Sequence, residues 1–391
     1  MHKFTPSRRA VALGLAALLL PVGVQAQGQG AQGRGPIKIG MQAGITGPAA
    51  ADGNAAVAAV KIAVERANAA GGIGGRPLEL VVHDDQGKPD QAVPLANKMI
   101  GDDKVVAVIS AGFSAPSRAA APIFQKAKIP YIAAIAFAPE ITKVGDYMFR
   151  VTSVGEVQGR AGAMVVGKIL GKKKAVVLTI KTDFGKTLVA GFKEAAPKFG
   201  VEIVKEYEYG PGDRQFGPLI ASIKADNPDV IYATGFYFTG GPLVSQIRAA
   251  GLTVPIVGPE SFSSQKFIEI AGQAAEGTVI TNVIDWGSTK TEVREFLTEF
   301  EKRTGGKAEA VAAQAYAAAT VLIEAMKAAK STDPEKIRAA LEKTDVDTAI
   351  GRLSFNKLHE VRKAFPLSVV RNGAWQANGV VDDMVLLTPP E

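Results

Sequence analysis

The stretch SAGFSAPSRAAAP, residues 110–122, places a hydroxyl group at the point where an apolar strand turns into a helix. Ser114 follows the run VVAVIS at 105–110, and an alanine-rich helix is predicted to begin at about Ala115. A serine in this position can be a nucleophile, can cap the helix, or can hold an anion together with the first amides of the helix. Other features of the sequence are needed to distinguish these three functions.

Catalysis by Ser114 would need a base, and the chain offers few candidates. Its three histidines are His2, in the first residues, His83, in VVHDD, and His359, in the tail. Pro116 stands where the nucleophile elbow of an α/β-hydrolase has its second glycine, and no lysine follows Ser114 at the third position. The sequence therefore does not favour an enzyme, and catalysis is kept as a rival that turnover of a bound carboxylate would reveal.

Motifs that would bind a nucleotide or a metal ion are incomplete. The run AAGGIGGRPLEL at 69–80 ends a helix and enters a strand, which reverses the order of a dinucleotide-binding turn. TDFGKT at 182–187 has Ile180 where a phosphate-binding loop needs its first glycine. Asp84 and Asp85 have no accompanying histidine cluster, and the chain has no cysteine. We therefore expect no cofactor and no metal.

The first 26 residues have the pattern of a cleavable signal peptide. Lys3, Arg8 and Arg9 precede an apolar stretch at 10–24, and Val24–Ala26 forms a small-residue cleavage pattern. The 15 residues of this stretch are fewer than the roughly 20 that a membrane-spanning helix needs. Because no cysteine can carry a lipid at the cleavage point, the sequence predicts a protein that is free in the periplasm. The general secretory and twin-arginine routes of export both stay open.

The composition is that of a globular protein. Of the 391 residues, 47% are hydrophobic and 21% are charged, and a chain of this length is expected to form two lobes. Loss of the three cations of the signal peptide lowers the formal net charge from +7 to +4, which is too little to predict nucleic-acid binding. Residues 27–36 are rich in glycine and glutamine and are predicted to be a flexible lead.

From Ile37 onward, short apolar runs alternate with helical segments. The first four runs are IKIGMQAG, LELVVHDD, VVAVIS and IPYIAA, and the pattern starts again at AVVLTI, residues 175–180. Repeated strand and helix units form parallel sheets with right-handed crossovers and helices on both faces. The predicted fold class is therefore α/β, with two open parallel-sheet lobes.

The last third of the chain has a different pattern. Besides the long helix predicted earlier in the chain at 54–70, this part has long helices predicted at 291–305 and 308–329, and STDPEKIRAALEKT at 331–344 opens with a good N-terminal cap. GRLSFNKLHEV, AFPLSVVRNG and WQANGVVDDMVLL alternate like antiparallel strands, with a hairpin turn at Asn372–Gly373.

Several segments in a fixed order resemble one known family. They are GITGPAA, ERANAAGGIGGRPLELVVHDDQGKPDQAVPLANKMI, IPYIAAIAFAPEIT, DNPDVIYATGF, IRAAGL and GPES. From about Ile37 to the last strands, the chain resembles the leucine-binding proteins, the branched-chain amino-acid type of periplasmic substrate-binding proteins that serve ABC importers. The resemblance implies two α/β lobes that are joined by three crossings and enclose the ligand between them.

The resemblance also implies lobe limits and partners. Lobe 1 would comprise 37–153 plus 286–356, and lobe 2 would comprise 154–285 plus 357–391. The crossings are expected near 150–156, 282–287 and 353–360. The partners would be a small carboxylate or amino acid and, in the closed form, a membrane permease. We expect a monomer.

Site residues are carried over from the family by position. Ser114 falls on the serine that holds the ligand carboxylate, and the next contact loop falls on Ile135, Ala136 and Phe137. Phe184 and Phe236 fall on two pocket aromatics, Glu260 falls on the acid that pairs with the ligand ammonium, and Phe113 lies nearby. Each of these positions comes just after a predicted strand, where open parallel sheets bind their ligands.

Three positions depart from the family pattern and make the predicted cleft less polar. Phe137 stands where the amino-acid binders have a threonine, and Phe184 and Phe236 stand where they have tyrosines. At a fourth position, near the start of the first helix, an aromatic contact is replaced by Asp52 or a neighbour. A buried phenyl group removes about 150–250 Å² from water, worth several kcal/mol at about 25 cal/mol/Å². Such a site would select a carboxylate with a sizeable apolar or aromatic tail.

Alternatives stay open for the ligand and for the role. A buried Glu260 without a cation is costly, which favours an amino acid. Glu260 could instead bond to the backbone at the lobe junction, and the ligand would then be an aromatic or 2-keto carboxylate. Ser114 could be only a helix cap. A sensory binding subunit would share the fold, and uptake in a deletion strain would distinguish sensing from transport.

Overall fold

The computed structural model describes residues 1–2 and 35–389. Apart from its first two residues, the predicted signal peptide lies outside the described residues, as does most of the predicted lead, and both stay predictions. None of the described helices is long and apolar enough to cross a membrane.

Five parallel strands form the first sheet, in the order β2-β1-β3-β4-β5. Its central strands are buried on both faces, as expected for a parallel sheet between two layers of helices. The strands are β1 (Ile37–Ala43), β2 (Leu78–Asp84), β3 (Ala107–Ala111), β4 (Tyr131–Ala133) and β5 (Met148–Arg150). The helices are α1 (Ala50–Ala69), α2 (Pro89–Lys98) and α3 (Ser114–Lys126).

Seven strands form the second sheet, in the order β14-β13-β10-β9-β8-β6-β7. The parallel strands are β6 (Lys174–Ile180), β7 (Glu202–Tyr209), β8 (Val230–Ala233), β9 (Ile256–Gly258) and β10 (Val279–Thr281). The antiparallel pair β13 (Phe365–Arg371) and β14 (Ala374–Val381) extends the sheet beyond β10. The helices are α4 (Gly155–Met164), α5 (Asp183–Ala195), α6 (Gly217–Asp226), α7 (Tyr237–Ala249) and α8 (Gln265–Ala271).

The segment between β10 and β13 returns to the first sheet. It contains α9 (Thr291–Thr304), α10 (Ala310–Ala329), α11 (Pro334–Leu341) and the short hairpin β11 (Asp345–Thr348) and β12 (Gly351–Ser354). α10 packs against α1 and α11, and Arg66 Nη1 donates a hydrogen bond to the Tyr316 hydroxyl over 2.9 Å. The predicted class, α/β with two parallel-sheet lobes, is confirmed, whereas the exact lobe limits stay predictions.

Two local predictions are confirmed by their hydrogen bonds and backbone angles. The Asp333 carboxylate caps α11 by accepting from the amides of Glu335 and Lys336, at 2.9 and 3.3 Å. Asn372 and Gly373 both have positive φ angles, 53° and 70°, and join β13 to β14. Two consecutive positive φ angles are what a tight two-residue hairpin requires.

Three predicted elements differ from the structure. The first long helix begins at Ala50 rather than at residue 54, and α3 begins at Ser114 rather than at Ala115. Of the segment 351–361, only Gly351–Ser354 is a strand, and it pairs with β11 instead of joining the tail strands. The partner strand was not predicted because its sequence, DVDT, is polar and lacks the apolar alternation of a half-buried strand.

A buried ion pair lies where the chain passes between the sheets. Arg150, at the end of β5, donates from Nε to both carboxylate oxygens of Glu360, at 3.1 and 2.9 Å. Both side chains are almost completely buried. Arg150 belongs to the predicted first crossing and Glu360 to the predicted third crossing, so the pair ties these two segments together.

Candidate functional site

The candidate site is built at the carboxyl ends of strands from both sheets. Ser114 and Ile135 follow β3 and β4 of the first sheet, and Phe184, Phe236 and Glu260 follow β6, β8 and β9 of the second sheet. This is the edge at which open parallel sheets present loops and helix N-termini. The strand ends therefore direct these residues into a common space between the two sheets.

Ser114 is the first residue of α3 and is 5% exposed. Phe113, with an extended backbone, occupies the N-cap position, and no side-chain capping bond is present there. The Ser114 hydroxyl oxygen instead accepts a hydrogen bond from the main-chain N–H of Phe137 over 3.1 Å. The structure therefore contradicts the alternative in which Ser114 is only a helix cap.

The loop after β4 is held from behind by Arg150. Its guanidinium donates to the carbonyl oxygen of Ala138 over 2.6 Å and also to that of Ala136. The carbonyl oxygen of Phe137 accepts from the amide of Gly155 over 3.2 Å. These three carbonyl groups are thus occupied within the protein, while the amide of Phe137 is directed at Ser114.

A small buried space, here called the inner chamber, has a volume of about 20 Å³. Its lining comes from both sheets and includes seven of the eight predicted site residues. The lining residues are Asp52, Phe113, Ser114, Ile135, Phe137, Phe184, Phe236, Glu260, Ser261, Val311 and Gln314. Ala136, the remaining predicted residue, does not line the chamber, because its side chain is fully buried in the core of the first sheet.

Phenyl rings connect the two sides of the inner chamber. Phe236 stacks on Phe113 with ring centroids 4.6 Å apart, and on Phe184 at 5.2 Å. Phe137 meets Phe184 edge-on at 5.2 Å. Phe113 and Phe137 follow strands of the first sheet, and Phe184 and Phe236 follow strands of the second. The rings therefore form a continuous apolar contact across the cleft.

Glu260 supplies a carboxylate to the inner chamber. It is 4% exposed and accepts a hydrogen bond from Gln158 Nε2, which also donates to the carbonyl of Thr281 over 3.1 Å. Burial raises the pKa of the Glu260 carboxyl to about 7, against the opposing effects of the Gln158 hydrogen bond and the charge of Lys363. Near neutral pH, Glu260 can therefore gain or lose a proton when a charged ligand arrives.

Lys363 is an unexpected neighbour of Glu260. Its side chain is buried, and Nζ makes no hydrogen bond to any part of the chain that the structure describes. Burial lowers the pKa of its ammonium to about 7, against the opposing effect of Glu260. Lys363 lies between β12 and β13, where no apolar periodicity marks a buried position, so its burial could not be predicted from the sequence.

Asp52 adds a second carboxylate to the inner chamber. It lies in the first turn of α1 and is 7% exposed. Burial, followed by the charges of Glu309 and Glu260, raises its pKa well above the usual value.

Gln314 completes the polar lining and donates to the Thr152 hydroxyl over 2.7 Å. A lone glutamine in an alanine-rich helix was a sequence signal that could have identified it.

A larger space, here called the outer cleft, adjoins the inner chamber and has a volume of about 420 Å³. Its lining is mostly apolar: Pro48, Ala49, Gln86, Gly87, Phe113, Ser114, Ala115, Pro116, Thr182, Asp183, Phe184, Pro211, Gly212, Arg214, Phe236 and Phe238. Two polar contacts also cross between the two sides of this cleft. Arg118 pairs with Asp183 over 2.8 Å, and the Tyr237 hydroxyl donates to the carbonyl of Pro48 over 2.9 Å.

The described residues contain no group of three or more histidine or acidic side chains placed to hold a metal ion. The site thus consists of a hydroxyl with an adjacent amide, buried carboxylates and phenyl rings. This arrangement can bind a small molecule that has an anionic end, a cationic group and an apolar part.

Comparisons with known proteins agree with this arrangement. The sequence model of a family described as periplasmic binding protein matches residues 36–374. The Leu/Ile/Val-binding protein homolog 3 of Brucella melitensis biotype 1 is 32% identical over 326 residues, which covers 82% of this chain and 87% of the relative.

Two solved structures share the fold over nearly their whole length. The branched-chain amino acid transporter substrate-binding protein LivJ from Streptococcus pneumoniae, in complex with isoleucine, has a TM-score of 0.84 and 29% identity, covering 88% of this chain and 99% of that chain. A solute-binding protein of an ABC transporter from R. palustris, in complex with benzoate, has a TM-score of 0.81 and 25% identity, covering 90% and 99%.

The matches span both sheets and all of the site residues described above. The relatives are substrate-binding proteins of transporters, and the resemblance found in the sequence is confirmed. The chain belongs to the periplasmic binding protein family.

Proposed function

We propose that the protein is the substrate-binding protein of an ABC importer and captures a hydrophobic amino acid between its lobes. One observation carries the proposal: Ser114 and the buried Glu260 line the same chamber between the two sheets. A carboxylate beside Ser114 would gain about 0.3–1 kcal/mol from the dipole of α3, up to about 2 when partly buried. Each charge-assisted hydrogen bond would add about 1.5–3 kcal/mol.

The acidic lining supports a ligand that also carries an ammonium group. Glu260 and Asp52 are both buried, and an isolated buried carboxylate is costly unless a cation or a proton compensates it. An ammonium group in the inner chamber would supply that charge. The carboxylate and ammonium groups of an amino acid therefore match the two ends of the lining, Ser114 and Glu260.

Closure of the lobes would trap the ligand and create the form that a membrane permease recognises. A ligand stabilises the closed form only through contacts that it makes to both lobes. Ser114 would supply such contacts from the first lobe, and Phe184, Phe236 and Glu260 would supply them from the second. The protein is expected to act as a monomer and to have no catalytic activity.

Export to the periplasm is part of the proposal. The N-terminal pattern supports a signal peptide that ends at Ala26. N-terminal sequencing of the protein released by osmotic shock should then begin at Gln27. A protein that keeps its first 26 residues would show that this segment is not removed.

The proposal is tested by calorimetric titration of the purified protein with leucine and phenylalanine. We expect saturable binding of at least one of them, and a loss of at least tenfold in affinity for Glu260→Gln, which keeps the volume but removes the charge. Glu324→Gln, on the exposed face of α10, is the matched control and should bind like the wild type. Failure of every amino acid to bind would refute the proposal.

A second candidate ligand is an aromatic or 2-keto carboxylate, as in the R. palustris relative bound to benzoate. The observation that favours it is Lys363, because an internal cation beside Glu260 can compensate the carboxylate without a ligand ammonium. Benzoate and phenylpyruvate are therefore titrated alongside the amino acids. Tighter binding of either acid than of any amino acid would select this candidate.

A further inference from the structure

The inner chamber and the outer cleft share four lining residues. These are Phe113, Ser114, Phe184 and Phe236. The hydroxyl of Ser114 and the three rings therefore form the boundary between the two spaces. A ligand that is anchored at Ser114 has access to the inner chamber on one side and to the outer cleft on the other.

The two spaces differ in size and polarity. The inner chamber, at about 20 Å³, exceeds only slightly the roughly 10–15 Å³ that a single water molecule needs. It accommodates a group the size of an ammonium, and its lining carries the carboxylates of Asp52 and Glu260. The outer cleft, at about 420 Å³, lies within the range of about 300–1,000 Å³ that is typical of small-molecule sites.

The outer cleft has two charged side chains in its lining, Asp183 and Arg214. Asp183 pairs with Arg118 over 2.8 Å. Arg214 Nη1 donates to the carbonyl oxygens of Pro211 and Asp213, at 3.0 and 2.7 Å. Arg214 is exposed and bonds only to neutral carbonyl groups, so its charge has no acidic partner among the described residues. The rest of the lining is mostly apolar.

The apolar surface of the outer cleft consists largely of phenyl rings. Phe236 stacks on Phe113 and on Phe238, with centroids 4.6 and 5.3 Å apart, and all three rings line the cleft. An aromatic tail can extend such a series at the same spacing, because ring pairs are favourable at about 4.5–7 Å. An aliphatic side chain would be buried in the cleft but would not stack on the phenyl rings.

We infer that the ligand is an amino acid with an aromatic side chain. Its carboxylate binds at Ser114, its ammonium enters the inner chamber, and its ring lies in the outer cleft against Phe113 and Phe236. The inference rests on the proposed function and adds the substrate class to it. The side chain of the ligand lies in the outer cleft, because this is the space that has room for a ring.

The first test compares tails on the same amino-acid head. Tryptophan, phenylalanine, leucine and alanine are titrated into the purified protein, with alanine measured by displacement of tryptophan. We expect phenylalanine or tryptophan to bind at least tenfold more tightly than leucine. Leucine that binds as tightly as both aromatic amino acids would overturn this inference and leave the proposed function standing. Absence of binding by all four would overturn both.

The second test fills the outer cleft. Gly212 lines it, has an ordinary φ angle, and has open space where a Cβ would lie, so Gly212→Phe can be accommodated. This variant should lower the affinity for tryptophan at least tenfold and the affinity for alanine less than twofold. Gly101→Phe is the matched control, since Gly101 also has open space but lines neither cavity. It should change neither affinity. Equal weakening of both ligands by Gly212→Phe, or unchanged tryptophan affinity, would overturn the inference.

Discussion

The ring of Phe113 stacks on the ring of Phe236 at 4.6 Å, although Phe113 follows a strand of the first sheet and Phe236 follows a strand of the second. Such pairs contribute about 0.5–1.5 kcal/mol beyond the burial of their surface. The contact therefore helps to hold the lobes together, and a ligand tail in the cleft must join the same set of rings.

Replacement of Phe236 should weaken both the ligand and the contact between the lobes. The ring of Phe236 meets those of Phe113, Phe184 and Phe238. Phe236→Ala should therefore lose at least tenfold in amino-acid affinity, and small-angle scattering should show a larger radius of gyration in the absence of ligand.

Phe300→Ala is the control for the loss of a buried ring. Phe300 lies in α9 and lines neither cavity. Its removal should cost about 3–5 kcal/mol of stability but leave the affinity and the radius unchanged. If Phe236→Ala bound and scattered like the wild type, the rings would have no role in closure.

Ligand affinity should depend on pH in a direction that identifies the ligand. The pKa of Glu260 is about 7, so its carboxyl is protonated below that pH and charged above it. Lys363, with a pKa of about 7, loses its positive charge over the same range. Both changes favour a ligand ammonium at high pH. Amino-acid affinity should therefore rise by about tenfold between pH 6 and pH 8, as the charged fraction of Glu260 rises.

A ligand without an ammonium group should show the opposite trend. Benzoate would meet a site that becomes more negative as the pH rises, and its affinity should fall. Calorimetry at pH 6, 7 and 8 measures both trends. Glu260→Gln should make the amino-acid profile shallower and leave only the part that is due to Lys363, and an unchanged slope in that variant would show that Glu260 does not contribute to the pH dependence.

The buried pair Arg150–Glu360 should be worth much more to stability than an exposed pair. Arg150→Met leaves the Glu360 carboxylate buried without its partner, which typically costs about 3–5 kcal/mol. It also frees the carbonyl groups of Ala136 and Ala138 in the contact loop. Urea unfolding should show this loss.

The double variant Arg150→Met/Glu360→Leu should be less destabilised than the sum of the two single variants, because an apolar pair of similar volume leaves no unpaired charge. Arg352→Met is the control: it removes the exposed partner of Asp345 and should leave the unfolding midpoint unchanged. If the losses in the free energy of unfolding of the two single variants simply added in the double variant, Arg150 and Glu360 would act independently.

Ser114 and Ser117 lie one turn apart on α3 and should behave differently. Ser114→Ala removes one charge-assisted hydrogen bond to the carboxylate, about 1.5–3 kcal/mol, which corresponds to about 10- to 150-fold in affinity. In the free protein it removes only the bond from the Phe137 amide, so Tm should fall by a few degrees.

Ser117 is fully buried and bonds to Ser110 and to the carbonyl of Gly112. Ser117→Ala should therefore lower Tm by a similar amount but leave the affinity unchanged. If the two variants lost affinity equally, the effect of Ser114 would be structural rather than a contact with the ligand.

The two sheets and the position of Ser114 could be predicted because they depend on local sequence pattern. Short apolar runs such as VVAVIS specify buried parallel strands, and a serine just beyond one of them must lie at the ligand-binding edge of the sheet. The phenylalanines at 137, 184 and 236 were located by position from the resemblance to the family, and the strand pattern agreed with that placement.

The rest of the site depends on contacts between segments that are distant in sequence. Lys363 is buried in the segment between β12 and β13, although lysine is ordinarily exposed. The division into an inner chamber and an outer cleft depends on how rings from two sheets meet. Arg150 and Glu360 are 210 residues apart, and neither residue is marked by a motif.

The most direct test of the account is a crystal structure with the tightest-binding amino acid. The account predicts that the ligand carboxylate lies within hydrogen-bond distance of the Ser114 hydroxyl and that the ammonium points toward Glu260. A ligand bound outside the space between the two sheets, or bound there with its carboxylate away from Ser114, would contradict it.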